Sequence, residues 1–442
     1  MNCTIFLPRQ RRDPSQLKDA PEGGHLMALS QQSRVTTATN DSRRWLVIGT
    51  VVLLAFAYGL QMYAMVPAFG PIAEEYGLDL TRISLLVSAF FLGYAIAHIP
   101  AGFAAAAFGY KPVAVIGSGM LAASSALGSL ADGYMWFLLS RSVGGMSMSL
   151  IVGSAIPLAA AWAKQGQVKL VVGGFVNGFG FTAGAAVGLY AWVALLDIFD
   201  WRPAVGIAAA VGFVATVMAV CTLRVPADLP ELDGGHFSWG GTLACLRSRS
   251  IWSIGIGSVA AYGIMFTVSQ LGPEYAESEL GFSTSSAGLL SATLLFLGIP
   301  GAILGGMLAD RSPRFLPTLW VPASAMVVSL AVLPFAGGMS IWFVLGGIGL
   351  VGMMYFAPCT VSPGEYPDEV LTQDFGTALG LILTLGNAGA IAFPYIYAVT
   401  AESAGKSAGW WALAGIAGLT TMVFVLAREP HRRERTSAEA GR

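Results

Sequence analysis

Twelve runs of about twenty mostly apolar residues alternate with short polar stretches along this chain. About twenty residues is the length a helix needs to cross a bilayer core at a rise of 1.5 Å per residue. The pattern predicts spanning helices near 45–67, 83–105, 112–131, 134–161, 168–192, 202–223, 251–273, 284–307, 316–337, 341–361, 376–398 and 407–427. The polar stretches differ in sign. With the N-terminus inside, one side collects Lys111, Lys164, Lys169, Arg224, Arg247, Arg249, Arg311 and Arg314, whereas the other keeps only Arg82, Arg202 and Lys406 among many acids. That bias follows the positive-inside rule for an even number of spans and predicts both termini in the cytosol.

Composition fixes the class. Of the 442 residues, 55% are hydrophobic and 11% charged, with a mean hydropathy of +0.67, against about 25% charged residues in soluble domains. The expected partner is therefore a lipid bilayer, the cell membrane crossed many times. No basic stripe points to nucleic acid. Cys3, Cys221, Cys245 and Cys359 show neither CxxC spacing nor a histidine partner, so no metal is implied. Residues 1–42 hold no apolar core long enough for a signal peptide and read as an unstructured cytosolic tail, with Met27 an alternative start.

Shifting the sequence by 204 places aligns AYG at 57–59 with AYG at 261–263, Gly77 with Gly281, Leu85-Leu86 with Leu289-Leu290, and Gly102 with Gly306. With small slippage, WFLLSR at 136–141 meets WFVLGG at 342–347, and NGFG at 177–180 meets NAGA at 387–390. The fold class expected is an all-α membrane protein with two pseudo-symmetric six-helix bundles, 43–224 and 251–427. A linker, 225–250, joins them and a tail, 428–442, follows.

Two of these stretches resemble a known family. GMLADRSPR at 306–314 is similar to the loop signature of the major facilitator superfamily, and RSVGGMS at 141–147 resembles its fourth-helix arginine and glycine motif. The resemblance implies alternating access between two halves. It also implies gating roles for Gly306, Asp310, Arg311 and Arg314, and for Gly102 and Lys111 in the matching first-half loop. There the signature's Asp and Arg are replaced by Ala106 and Ala107. A weaker inner gate, or one closed by apolar contacts of Phe103 and Phe108, is expected. Asp310 would face helix N–H groups while Arg311 and Arg314 bridge to carboxylates; fixing topology is the alternative.

No Asp or Glu falls within the predicted spans, which disfavours proton symport through an intramembrane carboxylate. Arg141 is the costly exception and hence the main candidate for the solute site. It either pins span four to span one near Gln61 or also attracts an anion. Tyr58 and Gln61 share one face of span one by their spacing, and Tyr262 and Gln270 lie on the corresponding span seven. Asn177 and Asn387 add amides to spans five and eleven, as solute contacts or helix glue. His98 titrates near neutral pH and is a coupling candidate, with packing the alternative. Span five carries glycine at 173, 174, 178, 180, 184 and 188 but lacks the family's antiporter proline, which speaks against drug–proton antiport.

The favoured reading is a monomeric carrier without cofactor, moving a small polar or anionic solute. The alternative is an exporter of amphipathic compounds lined by Met62, Met65, Met265, Phe266, Met353, Met354 and Tyr355. No catalytic constellation or nucleotide motif supports an enzyme.

Overall fold

The computed structural model describes residues 24–164, 167, 169–226, 239–370 and 375–430. The chain divides after Leu46 into a short unit, helical from Gly24, and one body from Val47 onward. The helical state of Gly24–Ser42 differs from the unstructured tail expected. Residues 1–23, most of the linker (227–238) and the tail from 431 lie outside the described residues. A linker helix, Trp239–Arg247, precedes the second half.

Twelve helices are long and apolar enough to span: Ser42–Tyr76, Leu80–Ala105, Tyr110–Ser129, Tyr134–Trp162, Val171–Leu196, Trp201–Thr222, Arg249–Leu280, Thr284–Ala309, Pro317–Phe335, Ser340–Glu365, Thr377–Ala404 and Lys406–Leu426. They are numbered one to twelve below. Among the described residues there are no strands. Large apolar side chains such as Phe213 (63% exposed) and Phe343 (76%) cover the outside, where a bilayer would solvate them. The chain is a multi-pass membrane protein.

The repeat is visible in backbone geometry. Gly77 and Gly281 both end helices in the left-handed region, at φ 62° and 69°, where a Cβ would be strained. Asp79 and Ser283, at the same offset, both cap the next helix, accepting from Arg82 N and Ser286 N. Close crossings recur as well. A Cβ on Gly145 would meet Phe90 O at 1.8 Å, and one on Gly349 would meet Leu294 O at 1.7 Å. Spans two and four thus interlock as spans eight and ten do.

Span one breaks where its sequence requires it. Pro67 has no N–H and its ring clashes with the carbonyl four residues earlier; the first helix accordingly stops at Tyr63, and a 3₁₀ turn, Val66–Ala68, leads into a second helix, Phe69–Tyr76. Span five departs further from expectation. It winds as a π-helix over Lys169–Phe181 and again over Val187–Ala191, a geometry rare outside short bulges. Gly180, Gly184 and Gly188 lie against Val52 O, Phe56 O and Leu60 O of span one, so the backbones touch without side chains between them.

The linker face, where the chain passes between the halves, is tied by a carboxylate. Glu369 accepts from Ser250 N at 3.3 Å, Ser250 Oγ at 2.6 Å and the Ser248 hydroxyl, neutralising the positive end of span seven. Burial alone would raise its pKa, but these hydrogen bonds, with Arg428 adding to them, outweigh burial and lower it. A lowered value stabilises the fold above the unfolded carboxylate pKa of about 4.3 and loses that contribution as pH falls through the folded value. Acidification below about pH 5 is therefore expected to destabilise the wild type more than Glu369→Gln, checked by melting temperature against pH.

Candidate functional site

At mid-depth aromatic side chains cluster within each half, and Phe91 and Phe266 join the two clusters. Tyr58 and Phe181 lie 5.6 Å apart between ring centroids, Phe91 and Phe266 4.5 Å, and Tyr262 and Phe356 4.6 Å. Tyr58 and Tyr262 are the repeat-related residues of the two AYG segments. Tyr94 of span two lies within electrostatic reach of both. None of the three phenol hydroxyls has a hydrogen-bond partner among the described residues, although each residue is at most 7% exposed. Three free donors from both halves, set among rings, offer the chemistry that a small solute with hydrogen-bond acceptors would require. Sequence reasoning found Tyr58 and Tyr262 but missed Tyr94, Phe181 and Phe356. Tyr94 carried one signal, its position one turn before His98.

Arg141 is placed by the break in span one. A helix leaves its last carbonyls unpaired, and Arg141 fills two of them, donating through Nη1 to Gln61 O at 3.2 Å and Nη2 to Met62 O at 3.3 Å. Its Nε reaches Leu86 O at 3.4 Å, and the guanidinium lies 4.6 Å from the Phe90 ring centroid. It is 3% exposed, and among the described residues no carboxylate neutralises it. The cation therefore pins spans one, two and four together while its charge stays uncompensated.

The other candidates separate. Gln61 turns away from the aromatic site: its Nε2 donates to Ala208 O at 3.0 Å and its Oε1 accepts from Ser125 Oγ at 2.7 Å. Its side chain thus joins spans one, three and six, with one donor and one acceptor position of the amide engaged. Gln270 is fully buried, with neither amide atom partnered. Asn387 donates to Leu383 O at 2.7 Å, and its Oδ1 is unpartnered. Asn177 lies in the π-helix, and Thr182 Oγ1 donates to its carbonyl. His98 Nδ1 sits 3.1 Å from Ser149 Oγ, with its ring 4.6 Å from that of Tyr94, which places it next to the site as a packed group.

The latch expectation needs correction. Arg311 and Arg314 are exposed, and no carboxylate among the described residues lies within ion-pair distance of either; the carboxylate that approaches their loop, Glu429, instead accepts from Phe315 N and from Leu316 N, the latter at 3.3 Å. Helix N–H groups compete better than solvated guanidinium here. The Asp310 side chain lies outside the described residues. Gly102 and Gly306 have open space at Cβ, Lys111 is half-buried, and Phe108 is 73% exposed, so it closes nothing in this state.

The face opposite the linker is closed instead. Thr81 N and Oγ1 donate to Glu402 Oε1 and Oε2 at 2.9 and 2.6 Å, Ser88 Oγ donates to Ile391 O at 2.7 Å, and Tyr63 OH bonds Ser269 Oγ at 2.8 Å. Each bond joins the halves. Glu402→Ala removes two of them and is expected to shift the population toward opening on that face several-fold, at about 1 kcal/mol for partly solvated bonds. Accessibility of a cysteine placed at Ser88 to a water-soluble thiol reagent measures the shift.

The sequence profile of the Major Facilitator Superfamily matches residues 51–370. The chain belongs to the major facilitator superfamily. A galactarate/D-glucarate transporter named as probable from Escherichia coli is 21% identical over 448 residues, covering 91% of this chain and 96% of that one. A hexuronate transporter of Bacillus subtilis is 24% identical over 404 residues, covering 85% and 94%. The chain spans only 65%, 49% and 31% of three further curated relatives. Among solved superfamily structures, an inward-facing, occupied bacterial homologue of the human lysosomal transporter Spinster superposes with a TM-score of 0.66 at 16% identity, over 87% of this chain and 96% of that one. At that identity the likeness concerns the fold.

Proposed function

We propose that this protein is a secondary carrier of a small organic anion, bound between its halves at Tyr58, Tyr94 and Tyr262. The observation that carries the reading is three unpaired phenol hydroxyls drawn from both halves, together with a buried, unneutralised arginine held by the carbonyls of Gln61 and Met62 on the helix that carries Tyr58. Phenol donors suit carboxylate oxygens, and the buried guanidinium gives the site a positive potential. Relatives named for galactarate/D-glucarate and for hexuronate, compounds that carry carboxylates, support it. The bundles 43–224 and 251–427 rock about the site as rigid bodies, joined by the segment 225–250. The protein works as a monomer in the cell membrane, with both termini on the cytosolic, lysine- and arginine-rich side.

The aromatic lining supports a second reading, an exporter of amphipathic compounds. Thermal shift of the purified protein separates the two. Galactarate, glucuronate, inorganic phosphate and a lipophilic cation are compared on wild type, Tyr94→Phe and Tyr262→Phe. A sugar-acid anion at about 100 times its Kd is expected to stabilise wild type by about 2.7 kcal/mol, with affinity about tenfold weaker in each phenylalanine variant. Stabilisation by the lipophilic cation alone, equal in all three, overturns the anion reading in favour of the exporter.

A further inference from the structure

A second polar site lies inside the C-terminal half, away from the tyrosines. Span seven packs against span eleven in parallel register. A Cβ on Gly389 meets Val259 O at 2.0 Å, and one on Gly263 meets the Phe393 ring at 2.4 Å. One turn further along both helices, the register brings Thr267 level with Tyr397, and Gln270 and Glu274 continue the same stripe of span seven. Span twelve closes the seam: the Trp410 ring lies 4.1 Å from Tyr397 and 5.7 Å from Tyr275. Lys406, one turn before Trp410, ion-pairs with Glu274 Oε1 at 2.5 Å.

Along this seam six buried atoms lack partners: Thr267 Oγ1, Gln270 Nε2 and Oε1, Glu274 Oε2, Tyr397 OH and Trp410 Nε1. Thr267, Gln270, Tyr397 and Trp410 are all 0% exposed. In a membrane protein each orphan costs several kcal/mol if left dry, so six in one seam imply an occupant. The N-terminal half fills the same places without a carboxylate or amide. At the repeat offset Thr267, Gln270 and Glu274 correspond to Tyr63, Val66 and Gly70. The ion pair is also altered. Arg202 and Glu75 pair at 2.6 Å in the first half, whereas their counterparts Lys406 and Glu279 stand 4.0 Å apart, because Lys406 has turned to Glu274. The expected span seven ended at residue 273, just short of Glu274; the helix runs to Leu280.

The donor set selects the occupant. An indole N–H only donates, a carboxylate oxygen only accepts, and the amide, phenol and threonine hydroxyl do both. A bare cation would leave Trp410 Nε1 and Gln270 Nε2 facing positive charge, whereas water satisfies all six. We infer that spans seven, eleven and twelve enclose a water-filled seam ending on Glu274, which binds a proton taken from that water. The step transfers one proton from hydronium to Glu274 Oε2, leaves a water molecule and a neutral carboxyl, and leaves the Lys406 ammonium to Glu279 and Ser278. The titratable groups facing Glu274 are Lys406 from span twelve, Tyr397 from span eleven, and Tyr275, Glu277 and Glu279 from its own helix. The inference does not depend on the identity of the solute.

Two measurements on the full-length protein in nanodiscs test it. Gln270→Cys and Thr267→Cys are exposed to a small water-soluble methanethiosulfonate, against the background of native thiols, of which Cys221 is exposed and Cys245 and Cys359 are buried. A hydrated seam labels at least about tenfold faster than buried native thiols; no labelling above background at either position overturns the water. Infrared difference spectra on acidification then follow the protonated carboxyl band. The band is expected to shift on transfer to heavy water and to vanish in Glu274→Gln. A spectrum unchanged by Glu274→Gln overturns the proton site, and the separate labelling result keeps the two claims distinguishable.

Discussion

Gly184→Val is expected to abolish the folded protein, while Gly173→Ala on the same helix leaves its stability within about 0.5 kcal/mol of wild type. At position 184 a Cβ would stand 2.1 Å from Phe56 O and 2.9 Å from Leu60 N, both backbone atoms of span one. Neither can move without bending the helix that carries Tyr58. At position 173 nothing lies within 4 Å. Ordinary overpacking costs about 1–3 kcal/mol because side chains can shift. Here the obstacle is backbone, so the cost should exceed that range and the spans should separate. Gly180→Ala belongs between them, since its Cβ would meet Val52 O at 2.8 Å and Ala55 Cβ at 3.0 Å. Monodisperse yield and melting temperature of the three variants would rank 173, 180, 184 in order of increasing loss. Equal melting temperatures for Gly184→Val and wild type would mean that spans one and five do not pack through these glycines.

The twelve spans and the repeat were legible because each rests on a local pattern: apolar length, and identities at a constant offset that survive as shared caps at Gly77 and Gly281. Tertiary placement was not. Gln61 and Arg141 do meet, as expected from the sequence, yet it is the backbone carbonyl of Gln61 that meets the guanidinium. The reason is the break imposed by Pro67, which frees carbonyls just where Arg141 can reach them. The proline was visible in the sequence; the destination of the orphaned carbonyls was not. Tyr94 was invisible for a related reason. A tyrosine in an apolar run reads as packing until the fold brings it within electrostatic reach of tyrosines on two other spans. Glu274 drew no attention because the expected span ended one residue before it, whereas the helix continues to Leu280 and carries Glu274 to Lys406 of span twelve. The π-helical winding of span five had no signal beyond its glycines, since glycine permits close approach but does not dictate the turn.

Arg141→Met should weaken anion binding about 30-fold while changing fold stability little, and Arg141→Lys should do the reverse. For stability two terms nearly cancel. Intramembrane hydrogen bonds average about 0.6 kcal/mol and reach about 1.7, so the three that Arg141 makes are together worth roughly 2–5 kcal/mol. Against that, a cation at mid-membrane costs about 2.5–3.5 kcal/mol, a penalty that methionine removes. For binding there is no cancellation. Among the described residues no carboxylate screens the guanidinium, and a unit charge acting over roughly 8 Å at an effective dielectric near 20 contributes about 2 kcal/mol, or about 30-fold in Kd. Lysine keeps the charge but cannot donate in a planar fork to Gln61 O and Met62 O. It therefore retains the field while loosening the joint between spans one, two and four. Isothermal titration with the anion found by thermal shift, together with melting temperatures of both variants, reads the two quantities separately. If Arg141→Met bound the anion as well as wild type, the arginine would be a helix cap alone and the positive potential would have to come from elsewhere. If the lysine variant lost binding and kept its stability, the guanidinium would instead contact the solute through the N–H groups that the carbonyls leave free.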